Sequence, residues 1–169
     1  MSKSMNSIRG AVSFLLLVVF VSIGGSPASA LPYDSGTRTG EVSCTTGTFS
    51  VLNGVITGNT SCAGSAAIPD GVTSIGIDAF RNNAVLTAIT FGPGSQLTSI
   101  LDDAFRGATS LTSITIPNTV TLIQDRAFFG ATSLTSINIP NSVTYIGIGA
   151  FANAASLSAV TLGNSLTII

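Results

Sequence analysis

The chain has 169 residues, 45% hydrophobic and 8% charged, with a formal net charge of −1 and no histidine. That much apolar content at so little net charge excludes intrinsic disorder, and the near-neutral balance excludes the basic footprint of a nucleic-acid binder. The missing histidine removes the commonest general acid/base and the commonest metal ligand.

Residues 1–30 read as a secretory signal peptide. Lys3 and Arg9 give a basic start, and an apolar run extends from Ala11 to Ile23, interrupted by Ser13 and Ser22. Gly24, Gly25 and Pro27 then lead into Ala28-Ser29-Ala30, small residues where a signal peptidase reads, so cleavage is predicted after Ala30. The run is 13 residues long, against about 20 needed to span a bilayer. No stable membrane span is expected once the signal is gone. The remaining chain carries Arg38, Arg81, Arg106 and Arg126 against seven acids and has no lysine, a net charge of −3.

Residues 31–67 are rich in Gly, Ser and Thr and hold both cysteines, Cys44 and Cys62, 18 positions apart. In an exported chain these two are expected to form a disulfide, worth about 3 kcal/mol on the chain-entropy account. Two cysteines without histidine do not make a zinc site, and a catalytic thiol would lack its base. Within the same segment, TFSVLNGVITG (Thr48 to Gly58) places apolar residues on both sides of Asn53-Gly54, a type I′ hairpin signal. The stretch Glu41 to Ser65 is therefore read as a disulfide-tied N-terminal cap covering the open edge of residues 68–169. Asn59-Thr60-Ser61 has the spacing of a glycosylation sequon.

From Ile68 onward the sequence repeats. Segments 68–90, 91–115, 116–138 and 139–161 read IPDGVTSIGIDAFRNNAVLTAIT, FGPGSQLTSILDDAFRGATSLTSIT, IPNTVTLIQDRAFFGATSLTSIN and IPNSVTYIGIGAFANAASLSAVT, and a partial copy occupies 162–169. The second copy has two extra residues, which belong in the turn before Leu97 because every later position returns to step. A fixed period with Leu and Ile at constant offsets marks a solenoid. Ile-Pro with Asp or Asn after it turns the chain, and Val-x-x-Ile is a short strand with inward ends. Next comes Ala-Phe, in Phe80, Phe105, Phe128 and Phe151, whose rings should stack as a spine. The surrounding residues, as in DDAFRGA, lack β-branching and predict a single helical turn. Leu-x-x-Ile-x-Ile is the second strand. One copy alone buries too little to fold, so stability belongs to the array. The last copy breaks off at Ile168-Ile169, leaving its outer edge to further chain or to a partner.

Charged residues fall at matching offsets. Asp103 should pair with Arg126 across coils and Asp78 with Arg81 around the turn, while Arg81 and Arg106 stack as like charges, each near an acid. Asp102 and Asp125 also stack, but two carboxylates without further ligands make a poor calcium site. Phe129, at the offset of those arginines, is expected to be exposed.

The pattern V-x-x-I-x-x-x-A-F-x-x-A-x-x-L-x-x-I-x-I-P closely resembles the BspA-like, or Treponema-type, leucine-rich repeats of bacterial surface proteins, over residues 68–169. Family repeats often place Cys three residues after the Phe. This chain has Asn83, Ala108, Ala131 and Ala154 there, and Asn83 needs a hydrogen-bond partner or exposure. The resemblance implies an α/β, short leucine-rich-repeat solenoid of mostly short β-strands with single helical turns, preceded by the β-hairpin N-terminal cap. It also implies a bacterial secreted or cell-surface location and a binding or adhesion role, for a protein or glycan ligand.

In this repeat class the second strand lines the concave face. Its outward candidates are Thr87 and Thr90, then Thr112, Ser113 and Thr115, then Thr135, Ser136 and Asn138, then Ser158 and Thr161, with Ala88 and Ala159 among them. Stacked coils set equivalent residues about 4.8 Å apart, giving ladders of hydroxyls that are either a neutral binding platform or solvated strand filler. Threonine ladders also raise ice binding, although Ala88, Ala159, Asn138 and curvature spoil a lattice match. No Ser-His pairing, G-x-S-x-G, P-loop or dinucleotide fingerprint occurs, and Asp102 and Asp103 diverge on a turn, so no enzyme, cofactor or metal is expected. A structural spacer within a larger repeat protein is the other reading.

Overall fold

The computed structural model describes residues 32–58 and 61–167. The signal segment 1–30 with its cleavage site after Ala30, the sequon residues Asn59-Thr60, and Ile168-Ile169 lie outside the described residues.

The described chain winds into stacked coils, each contributing one short strand to each of two ladders. Four strands come first: β1 (Gly40–Thr46), β2 (Thr48–Leu52), β3 (Val55–Gly58) and β4 (Ala63–Ile68). Eight more complete the stack, namely β5 (Ser74–Ile75), β6 (Leu86–Phe91), β7 (Ser99–Ile100), β8 (Ser113–Ile114), β9 (Leu122–Ile123), β10 (Ser136–Asn138), β11 (Tyr145–Ile146) and β12 (Ala159–Thr161). The Val-x-x-Ile strands form a parallel ladder β3-β5-β7-β9-β11, with Ile56, Ile75, Ile100, Ile123 and Ile146 in register. The second strands form β4-β6-β8 and, separately, β10-β12. Ser99 pairs with Ser74, so the two extra residues of the second copy are absorbed in the turn before Leu97.

At the N-terminal end, Asn53 and Gly54 both take positive φ (52° and 79°), and β2 turns back antiparallel onto β3 with Leu52 opposite Val55. β1 pairs antiparallel with β2 on one side and with β4 on the other, so the two ladders join in a single ten-stranded sheet across this end. The disulfide forms between Cys44 and Cys62 with Cα atoms 5.5 Å apart.

The interior holds the residues the repeat places there. Phe80, Phe105 and Phe128 are fully buried, with Leu86, Leu111 and Leu134 and the register isoleucines of the first ladder also buried. The rings of Phe80, Phe105, Phe128 and Phe151 stack at centroid separations of 5.2, 5.1 and 5.3 Å with planes within 8° of parallel. Phe49 of β2 meets the column edge-on at 5.8 Å. Both geometries are favoured by the ring quadrupole. Asn83 is buried and satisfied: its Nδ2 donates to Cys62 O, and its Oδ1 accepts from the N–H groups of Val85 and Leu86.

The expected helical turns do not form, and the α component of the fold class is corrected: no helix occurs among the described residues. The Ala-Phe segment is bracketed by two left-handed residues in every coil. Asp78, Asp103, Arg126 and Gly149 precede the alanine with φ of 57°, 54°, 52° and 63°, and Asn82, Gly107, Gly130 and Asn153 close the corner with φ of 57°, 68°, 69° and 59°. Left-handed residues end a right-handed helix at once. Alternate N–H groups thereby point along the stack: Asp78, Phe80 and Asn82 donate to the carbonyls of Asp102, Ala104 and Arg106 at 2.7–3.1 Å. A helical turn would consume those donors within its own coil.

Candidate functional site

In each second strand the residues on either side of the inward isoleucine face out, and the threonine two residues before it is exposed as well. Ile89, Ile114 and Ile137 are buried, so the flanking residues must face out. All ten candidates, Thr87, Thr90, Thr112, Ser113, Thr115, Thr135, Ser136, Asn138, Ser158 and Thr161, are exposed, and Ala88 is half-buried. Pairing sets Ala88 beside Ser113, Ser136 beside Ala159 and Asn138 beside Thr161. Backbone pairing is absent between β8 and β10 among the described residues, so the candidates fall into two adjoining blocks.

Their hydroxyls divide by task. Thr112 Oγ1 donates to Thr87 O at 3.1 Å and Ser158 Oγ to Thr135 O at 3.3 Å, each clamping its coil to the one before. Thr90 Oγ1 donates more weakly, to Ala66 O at 3.5 Å. The side chains of Thr87, Ser113, Thr115, Thr135, Ser136, Asn138 and Thr161 have no hydrogen-bond partner among the described residues, and they are the uncommitted donors and acceptors of this surface. None of the outward positions is charged.

A second hydroxyl rank, on the first strand, was missed by sequence reasoning. Thr98, Thr121, Thr144 and Thr167 each donate Oγ1 to the carbonyl of the threonine one coil earlier, at 3.0, 3.3, 3.2 and 2.9 Å. Thr73 does the same to Gly54 O at 3.3 Å. The signal was present as a threonine after the first apolar residue of every copy (VTSI, LTSI, VTLI, VTYI, LTII). This rank spends its donors on the coil stack.

The charged edge lies at the corner turn, away from the hydroxyl strands. Arg81 Nη1 sits 3.0 Å from Asp78 Oδ1, and Arg126 Nε 3.3 Å from Asp103 Oδ1, as the offsets predicted. Asp103 is the hub, with Arg106 at 3.6 Å and Arg81 at 4.0 Å from its Oδ2. Its Oδ1 is buried and lacks an aligned hydrogen bond, so the Arg126 contact there is electrostatic only. Asp102 and Asp125 accept backbone hydrogen bonds from the next coil, from Asp125 N at 3.0 Å and Ile148 N at 2.9 Å. Among the described residues no group of three His, Cys, Asp or Glu is placed to hold a metal. Phe129, expected to be exposed, is half-buried with the Arg106 guanidinium 5.2 Å from its ring centroid.

The two perturbed titrations lie on the N-terminal segment. Burial raises the Tyr33 phenol, with the Arg38 charge opposing. Hydrogen bonds from the Gly36 N–H and the Thr37 hydroxyl lower the Asp34 carboxyl. No helix among the described residues is long and apolar enough to cross a membrane.

Comparison with solved structures finds the same coil geometry in a leucine-rich repeat protein from Bacteroides ovatus, 28% identical over 75% of this chain with a TM-score of 0.58. A leucine-rich repeat protein of T. pallidum is 25% identical over 63% of this chain, with a TM-score of 0.53. The chain spans 33% of the length of the first and 62% of the second. A comparison with curated proteins finds no match. The profile of the BspA type leucine rich repeat region matches six copies across residues 59–169. With that profile covering most of its length, and with its Ala-Phe corners stacked in register, the chain belongs to the BspA-type leucine-rich repeat family.

Proposed function

We propose that the chain is a secreted or cell-surface binding module, non-catalytic, whose second-strand hydroxyl face recognises a protein or glycan surface on the concave side of the solenoid. The observation that carries this is the uncharged outward rank of Ser113, Thr115, Ser136, Asn138 and Thr161. Their side chains are exposed and uncommitted, the first four about the buried Ile114 and Ile137 and Thr161 on the strand paired with β10. Rigid strands lower the ordering cost of binding. Repeat families use such extended faces for protein ligands. The disulfide and the signal reading of residues 1–30 favour an exported protein, with cleavage after Ala30. On this reading residues 31–67 serve as the N-terminal cap and 68–169 as the binding solenoid.

The test is replacement of Thr112, Thr115, Thr135 and Asn138 by lysine, then binding to intact bacterial or host surfaces. Loss of binding with an unchanged circular dichroism spectrum supports the face; retained affinity moves the site elsewhere. The spacer reading draws on a specific observation as well, the hydroxyls of Thr112 and Ser158 that serve the stack. It predicts that the same lysine variant leaves surface attachment of the parent protein unchanged.

A further inference from the structure

Residues 31–169 contain no lysine, and Arg38, Arg81, Arg106 and Arg126 are their only basic side chains. Side-chain exposure does not rank the four. Arg81, Arg106 and Arg126 show 39%, 31% and 50% of their side-chain surface, and Arg38 is exposed as well. Their backbones do rank them. Arg81, Arg106 and Arg126 lie in the corners, where coils interlock. Asn82 N, one residue past Arg81, donates to Arg106 O at 2.7 Å, and Gly107 N, one past Arg106, donates to Phe129 O at 2.8 Å. Arg126 N donates to Ile148 O at 3.0 Å and Phe128 N to Ala150 O at 2.7 Å. All three guanidiniums also reach Asp103, at 3.3–4.0 Å. Freeing the backbone at any of them means parting two coils.

Arg38 sits outside the stack. It ends a run of five exposed residues from Asp34, closed by hydrogen bonds between the backbones of Asp34 and Thr39 at 2.9 and 3.3 Å. Its guanidinium forms no ion pair among the described residues. The segment is tied down by Gly54 N donating to Arg38 O at 2.7 Å, Asn53 N to Thr39 Oγ1 at 3.1 Å, and the Tyr33 hydroxyl to Asp70 O at 2.8 Å. These contacts can open without moving a coil. A protease takes its substrate as an extended strand, so it cuts where residues on both sides of the bond can leave their places. Exposed tips of small polar residues meet that condition at least cost, and Ser35, Gly36 and Thr37 lead into Arg38.

We propose that Arg38–Thr39 is a processing site for an arginine-specific endoprotease, and that among the described residues the folded chain yields this bond alone to such an enzyme. The protease nucleophile adds to the Arg38 carbonyl carbon, the C–N bond breaks as a proton passes to the Thr39 nitrogen, and water then releases the Arg38 carboxylate. The cut frees the strap carrying Tyr33 from the turns at Gly54 and Gly71. Cys44, Cys62 and all of β1 lie beyond it, so the disulfide-tied end of the stack stays in place and Thr39 becomes the new N-terminus.

Limited trypsin digestion of the disulfide-intact chain tests this, with each of the four bonds followed by mass spectrometry. Each rate is divided by that of the same bond in a synthetic peptide of the same local sequence, which removes differences in intrinsic susceptibility. The normalised rate at Arg38 should exceed those at Arg81, Arg106 and Arg126 by about a hundredfold or more, because the corner bonds wait for near-global opening. The product beginning at Thr39 should keep the circular dichroism spectrum of the intact chain. R38Q, a change at an exposed side chain, should leave residues 31–169 whole over the same period. D103N, which loosens the corner guanidiniums, should leave the rate at Arg38 unchanged. Corner cuts at a normalised rate comparable to that at Arg38, an Arg38 bond as protected as the corners, or a product that unfolds on cleavage each overturns the proposal.

Discussion

The N-terminal and far ends of the stack are built from the same inward residue types and meet opposite fates. At the first, Phe49 closes the ring column, β1 and β2 tie both ladders together, and Asn83 anchors the first corner to Cys62. At the second, Phe151 stacks on Phe128 on one side only and is half-buried, and Val160 stands open. An inward position in this fold is thus buried by its neighbouring coil, not by its own. Hydrophobic stabilisation accrues per interface between coils, as expected for a quasi-one-dimensional array.

The sharpest way to break that account is to delete a ring stacked on both sides and the ring stacked on one. Phe105→Ala removes a ring sandwiched between two others and should cost about 3–5 kcal/mol in urea denaturation. Phe151→Ala, with one stacking neighbour, should cost about 1–2 kcal/mol. Equal losses would mean that the second stacking neighbour adds nothing. The disulfide comes next. Replacing both Cys44 and Cys62 by alanine should lower stability by about 3 kcal/mol, and the loss should add to that of Phe151→Ala, since the sites lie at opposite ends. Strong non-additivity would show the ends to be coupled. The smallest effect is expected at the charged corner. Asp103→Asn keeps a residue that tolerates the left-handed backbone, leaves three partly exposed arginines without their carboxylate, and should cost about 1 kcal/mol, because solvent screens them. That difference should shrink in high salt.

The stack is legible in the sequence because its period, its Ala-Phe pairs and its Asn-Gly hairpin are each local signals with one physical meaning. The corner misleads for a reason that is also local. DDAFRGA has residues suited to a helix, and only the recurrence of Asp, Gly or Asn at two fixed offsets betrays the left-handed backbone. Arg126 obscures one of them, since it takes φ 52° without being a residue that favours it. The cross-coil role of Thr98, Thr121 and Thr144 is hidden because an exposed threonine on a strand looks the same whether its hydroxyl serves a ligand or the preceding carbonyl. Thr90, Ser113, Thr115, Ser136, Asn138 and Thr161 are legible as outward positions because they flank the inward residue of each second strand, whereas Thr87, Thr112, Thr135 and Ser158, two residues before it, would point inward on a period of two and are exposed nonetheless. Which of them are uncommitted depends on distances between coils, which no single repeat encodes.

The central claim, that the turn amides of each coil are protected by the coil after it, is tested most directly by amide hydrogen exchange. The N–H groups of Phe80, Phe105 and Phe128 donate at 2.7 Å to Ala104, Ala127 and Ala150 of the next coil, and they should exchange only through global or near-global opening. The Phe151 N–H should exchange orders of magnitude faster. Four amides with equal protection, or fast exchange at all four, would contradict the account.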